Sequence, residues 1–178
     1  MPTAVRAVVS TLVLAVLLVL VARTSDAAPL AGLSGTLTGT DAFKRTTATR
    51  TPKGKFKKKV VGHGKDAVAP TIAFDSASGA FTITGYEDFP VTGTWTATSK
   101  GAVTLTVDND AFAAQKGAEL CPAASCTPRA TWTPRAARFD ARKSALKVKW
   151  LITVRQTSAD GSYVEETFKF HGAGALSP

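Results

Sequence analysis

Between Gly79 and Asp108 the chain alternates, residue by residue, between apolar side chains and mostly threonine. Phe81 and Ile83, then Val91, Gly93 and Trp95, then Val103, Leu105 and Val107 recur at every second position. Successive side chains of a strand point to opposite faces, so this spacing predicts three strands, each with one apolar and one polar face. The break at Glu87-Asp88-Phe89-Pro90 and the turn at Ser99-Lys100-Gly101 join them into an antiparallel meander.

The same period recurs elsewhere. Leu146, Val148, Trp150, Ile152 and Val154 alternate within Ala145 to Gln156, and after the turn Ser158–Gly161 the chain returns as a strand from Tyr163 to His171. Leu33 to Thr40 reads as a short, glycine-softened strand and Thr71 to Phe74 as another, closed by a turn over Asp75–Gly79. Thr46–Pro52 is polar enough for a loop or a ragged edge, Gly62-His63-Gly64-Lys65 reads as a second loop, and Gly172–Pro178 as a tail. Pro134 marks Ala130–Phe139 as a broken edge strand. One short helix, broken near Gly117, is predicted over Ala111–Leu120 behind the capping sequence Asp108-Asn109-Asp110. Eight or nine strands, one helix and no alternation of strand with helix predict an all-β fold, an antiparallel barrel or sandwich.

The chain opens on Arg6 and then sixteen residues without a charge, Ala7 to Ala22, followed by small residues. That is the pattern of a secretory signal peptide, 1–27, with a cut after Ala27, or alternatively after Ala22. The remaining 28–178 suits one exported domain, periplasmic or extracellular, with no later segment of membrane-spanning length. In that oxidising setting Cys121 and Cys126, the only cysteines, are expected to form a disulfide. Its short loop contributes about 2 kcal/mol through chain entropy.

The net charge of +9 is unevenly spread. Lys44 to Lys65 holds nine basic residues and no acid; Arg129 to Arg155 holds eight with one acid, Asp140; Asp66 to Glu119 between them has seven acids and two lysines. Such segregation predicts charged patches on the folded surface. Lys55, Lys57, Lys58 and Lys59 suit an edge strand, where lysine deters pairing with other chains, and they are the candidate contacts for a polyanion. Only Phe43 and Phe56 interleave with this basic stretch, so base stacking lacks its platform and no nucleic acid partner is expected. Anionic envelope polymers or lipid surfaces are the partners that export makes available. Trp95 and Trp150 lie on apolar strand faces, where they fill the interior or wall a cavity for a small apolar ligand.

Catalytic chemistry has little to stand on. There is no Gly-x-Ser-x-Gly, and the only histidines, His63 and His171, stand beside glycines near segment ends. Cys121, Cys126, His63 and His171 are acceptable zinc ligands by type, but the spacing is loose and an oxidising compartment favours the disulfide. Asp108-x-Asp110 resembles the start of a calcium loop until Phe112 and Ala113 occupy places that need an oxygen ligand and a glycine. No metal or other cofactor is expected, and the reading is a non-enzymatic binding or structural module. The alternative is a hydrolase or metal-dependent enzyme without a recognisable motif.

Gly93-Thr94-Trp95 resembles the Gly-x-Trp element of lipocalin-like barrels. The resemblance implies a barrel in outline. The element lies mid-chain here and near the first strand in lipocalins, and no ligand or functional residue is carried over.

Overall fold

A computed structural model describes residues 30–121 and 126–178, so the expected signal peptide and its cut lie outside the described residues. Among the described residues, ten strands and one helix follow in order: β1 Ser34–Thr36, β2 Thr38–Arg50, β3 Phe56–Val68, β4 Thr71–Phe74, β5 Ala80–Thr84, β6 Val91–Ala97, β7 Ala102–Val107, α1 Asn109–Leu120, β8 Cys126–Asp140, β9 Ala145–Ser158 and β10 Tyr163–Ala175. All strands belong to one antiparallel sheet, ordered β1-β4-β5-β6-β7-β8-β9-β10-β2-β3.

That order closes on itself. Only Leu37 separates β1 from β2, and only Ala69 and Pro70 separate β3 from β4. The pairs Ser34–Ala73 and Gly39–Val68 continue one register across this kink. The first hairpin is thus a single bent ribbon, joined to β5 through β4 and to β10 through β2. Leu37 is wholly buried at the bend, and its N–H donates to the Pro70 carbonyl at 2.7 Å. The result is a barrel rather than a two-sheet sandwich, and the bend in each arm raises the strand count to ten. β2, β3, β8, β9 and β10 run 13–15 residues and β4 to β7 only 4–7, so one wall stands much taller than the other.

The meander, the Asp75–Gly79 turn, the Ala145–His171 hairpin and the disulfide between Cys121 and Cys126 follow the sequence expectation. Five readings need correction. Thr46–Arg50 continues β2, because β10 and β3 supply hydrogen-bonding partners on both sides. Gly62–Lys65 is strand within β3, and Gly64 has a packing role: a Cβ there would lie 2.4 Å from a ring carbon of Phe43 directly across the ladder. Gly172–Ala175 extends β10, and Ser177 bridges to Ser34 beyond it. Helix α1 runs unbroken for 12 residues behind Asp108, whose side chain accepts from the Ala111 N–H, and Gly117 gives Pro128 room to approach. β8 is a continuous strand, paired along its length with β9 and bulged at Pro134–Ala136.

β8 tolerates its prolines because its other side is only partly paired. β7 joins it at two positions, Ala102–Arg138 and Val103–Ala137. Higher up, α1 covers that side, and the Asn109 amide replaces the missing strand. Asn109 Oδ1 accepts from the Trp132 N–H at 2.7 Å, and Nδ2 donates to the Trp132 carbonyl at 3.1 Å.

The inward faces form one apolar core. Trp150 stacks on Phe170 with ring centres 4.1 Å apart, and Trp132, Tyr86 and Phe112 complete the cluster at contact distance. Trp95 meets Phe74 edge-on at 5.4 Å. Beside it, Gly93 lets the Phe81 ring lie flat: an added Cβ would come within 2.8 Å of that ring and 2.1 Å of the Thr106 carbonyl. Packing around Phe81 therefore accounts for the glycine of the Gly-x-Trp element.

Candidate functional site

Two polar groups are enclosed with the core. Asp41 on β2 faces inward, directly across from Asp66 on β3, and its Oδ2 accepts the Tyr86 hydroxyl proton at 2.6 Å. Oδ1 has no hydrogen-bond partner among the described residues. Burial raises the Asp41 pKa above the ordinary carboxylate range; the Tyr86 bond opposes this and Asp66 adds to it. Tyr86 is itself raised, by burial and by the adjacent carboxylate. These groups are enclosed by aromatic rings and serve packing. A group whose folded pKa is raised holds its proton in the native state, so stability falls as pH rises from the ordinary carboxylate value toward the folded pKa. Asp41→Asn keeps an acceptor for Tyr86 and should flatten that fall above about pH 4, whereas Tyr86→Phe should cost about 1–3 kcal/mol. Denaturant unfolding at several pH values checks both, and an unchanged pH slope in Asp41→Asn would show that Asp41 titrates normally.

The second enclosed group closes the barrel mouth. Lys116 on α1 donates to Glu87 in the β5–β6 loop at 2.6 Å and to Glu119 at 2.9 Å. Its side chain is 14% exposed and that of Glu87 11%. Burial raises the Glu87 pKa against the pull of Lys116, while at Lys116 two carboxylates outweigh burial and hold the ammonium charged.

The outer face is of a different character. Across β8, β9, β10, β2 and β3, the register lines up outward positions in rows. Arg138 stands opposite Lys147, and Lys149 opposite His171. Lys169 and Lys65 are linked through Ala42, and Lys44 stands opposite His63. Arg129, Arg155 and Glu165 share the next row, and Lys58 and Tyr163 flank Ala48 above it. With Arg50, the outward positions of these five strands hold ten lysines and arginines against two acids, Asp140 and Glu165. The two basic stretches, far apart in sequence, have become one surface.

A cleft of about 200 Å³ opens on this surface, lined by Arg129, Thr131, Thr153, Arg155 and Glu165. Arg155 is held on two sides. Its Nε donates to Glu165 Oε2 at 2.9 Å, Nη2 donates to the same oxygen, and its guanidinium lies 4.3 Å from the centre of the Tyr163 ring. Phe56 packs against Tyr163 at 5.5 Å and, with it, helps cover Ala48.

The four lysines singled out from the sequence do not share one face of the sheet. β3 is the last strand of the sheet, so they do border an edge. Alternation sends Lys58 to the outer face with Phe56, and Lys57 and Lys59 to the opposite face; Lys55 precedes the strand, its carbonyl accepting from Thr51. Trp95 and Trp150 both point inward, each buried against other aromatic rings. His63 and His171 lie on the outer face among lysines, and the two cysteines are bonded to each other, so the structure does not bring the four together. Thr131, Thr153 and Glu165 carry no motif, and only knowledge of the β8–β9–β10 register would have singled them out.

These features define an antiparallel β-barrel with an aromatic interior, a helix across its incomplete seam and a basic outer face. No family model matches the chain, and no curated protein sequence does. Among solved structures, the crystal structure of Ail, the attachment invasion locus protein of Yersinia pestis, overlaps 83% of this chain and 99% of its own at 8% identity, with a TM-score of 0.27. That overlap is too loose to bear on what this chain does.

Proposed function

We propose that this protein is an exported, non-enzymatic module that binds an anionic polymer on the outer face of its tall wall. The observation that carries the reading is the cross-strand register, which gathers ten cationic side chains on one face beside two acids. Closely spaced cations attract polyanions chiefly by releasing counterions, with little sequence or stereochemical demand. The buried inward residues are mostly aromatic and aliphatic and the outward ones mostly charged, threonine or alanine, the reverse of a membrane-spanning barrel, whose lipid-facing side is apolar. That polarity supports a barrel in water. The face is also convex, since it is the outside of a barrel. A flexible polymer can follow it across several strands, whereas a flat lipid surface meets only a few rows at once. The rings packed through the interior favour this outer face over a small apolar ligand inside. The uncharged run Ala7–Ala22 and the disulfide support export.

Heparin serves as a model polyanion. Binding should weaken with salt, and Lys147→Gln/Lys149→Gln/Lys169→Gln should lower affinity about tenfold or more while reducing the slope of log K against log salt by about three. Lys57→Gln/Lys59→Gln, on the opposite face, should change neither. Equal loss in the two variants would overturn the assignment to the outer face, and tighter binding to anionic phospholipid vesicles than to heparin would replace the polymer with a membrane surface.

A further inference from the structure

We infer that the cleft lined by Arg129, Thr131, Thr153, Arg155 and Glu165 is a discrete site for a tetrahedral oxyanion, a phosphate or sulfate ester group carried by the polymer. The inference rests on the outer-face reading and adds to it a particular chemical group and place. Arg129 and Arg155 stand directly opposite each other on β8 and β9. Like charges at such positions destabilise a sheet. Only one carboxylate, Glu165, shares the cleft, and Arg155 already holds it through Nε and Nη2. Arg129 is exposed and makes no ion pair among the described residues. The cleft is therefore one positive charge in excess, as two guanidinium groups face one carboxylate.

The donors suit an oxyanion. Arg155 is fixed between Glu165 and the Tyr163 ring, so ordering it on binding costs little. A guanidinium carries five N–H donors, and two of those on Arg155 are engaged by Glu165, leaving others for a ligand. Thr131 and Thr153, also directly opposite each other, add two hydroxyls in the adjoining row. Guanidinium forks with flanking hydroxyls match the oxygens of phosphate and sulfate esters better than scattered ammonium groups do. Isolated lysines elsewhere on this face offer charge without that geometry.

The test uses the full exported chain with inorganic phosphate and inorganic sulfate, titrated at constant ionic strength against chloride and followed by amide NMR shifts. Saturable shifts centred on β8 and β9 are expected, and the tighter of the two anions indicates which ester the cleft favours. Arg129→Gln should weaken that binding about tenfold, and Thr131→Val, which keeps a β-branched residue in the strand, should weaken it severalfold. Lys149→Gln, on the same face but outside the cleft, should leave it unchanged. Heparin binding is measured on the same variants. If the wild type binds heparin but phosphate and sulfate give no saturable shifts, or if Arg129→Gln and Lys149→Gln weaken them alike, the discrete site is overturned while the outer-face reading stands. If heparin does not bind at all, the outer-face reading itself fails.

Discussion

Trp132→Ala is expected to destabilise the protein by about 3–5 kcal/mol. Trp132 is wholly buried and touches Tyr86, Phe112 and Trp150, with ring centres 5.1–5.5 Å away, so truncation removes the piece that links the helix to the barrel interior. Domains of this size are stable by about 5–15 kcal/mol, so the loss is a large share of the total. Trp132→Phe should cost less than half as much. It keeps an aromatic ring against the same neighbours, and the indole Nε1 has no hydrogen-bond partner to lose among the described residues. Guanidinium unfolding should show a lower midpoint with an unchanged m-value. A loss below about 1 kcal/mol for the alanine variant would mean that the interior is not a tightly packed core, and would return the small apolar ligand to consideration.

Lys116→Met should destabilise by a similar amount, about 3–5 kcal/mol at neutral pH. Lys116 is the shared cation of Glu87 and Glu119, and both Lys116 and Glu87 are mostly buried. Removing the ammonium leaves the Glu87 carboxylate enclosed without its counter-charge. The sign of the pH dependence follows from linkage. Glu87 already has a raised pKa in the folded state, and losing Lys116 raises it further. A raised acid destabilises as pH climbs from its ordinary value through the folded pKa, so the variant should regain much of the loss on acidification below about pH 4.5. Lys116→Met/Glu87→Gln should recover most of the stability at neutral pH, because neither charge remains. Chemical unfolding of the two variants at acidic and neutral pH separates this from a packing effect. A deficit that persists in the double variant and ignores pH would assign the role of Lys116 to its ammonium over the Phe89 ring, 6.0 Å from the ring centre.

Strand identity is legible in the sequence wherever one face is buried. The positions Phe81, Ile83, Trp95, Leu105, Leu146, Val148, Trp150 and Ile152 announce their inward face by spacing alone, and all are buried. The signal disappears where neither face is apolar. β3 is exposed along almost its whole length, so its lysines and glycines do not alternate and Gly62–Lys65 reads as a loop. The upper part of β2 resembles a loop for a related reason: Thr46, Thr47 and Thr49 lie among basic side chains, and only pairing with β10 and β3 makes that segment a strand. Pro134 does interrupt β8, as its chemistry demands, but the sheet absorbs it in a bulge while Asn109 and α1 cover the side where β7 is missing.

The candidate site divides along the same line. Local periodicity, the close cysteine pair and the blocks of charge are properties of neighbouring residues, and these the chain declares directly. Alternation by itself also requires that Lys57 and Lys59 part from Lys58. Which strands lie side by side is a long-range matter. The kinks at Leu37 and Ala69–Pro70 close the barrel, and closure places β2 beside β10, setting Ala48 opposite the distant Tyr163. Only that arrangement merges the stretch Lys44–Lys65 with Arg129–Arg155 into one face, whereas Arg129 opposite Arg155 follows from the register of the β8–β9 hairpin. Alternation decides the face on which a side chain stands; register decides its neighbours, and register is settled by the packing of the whole barrel.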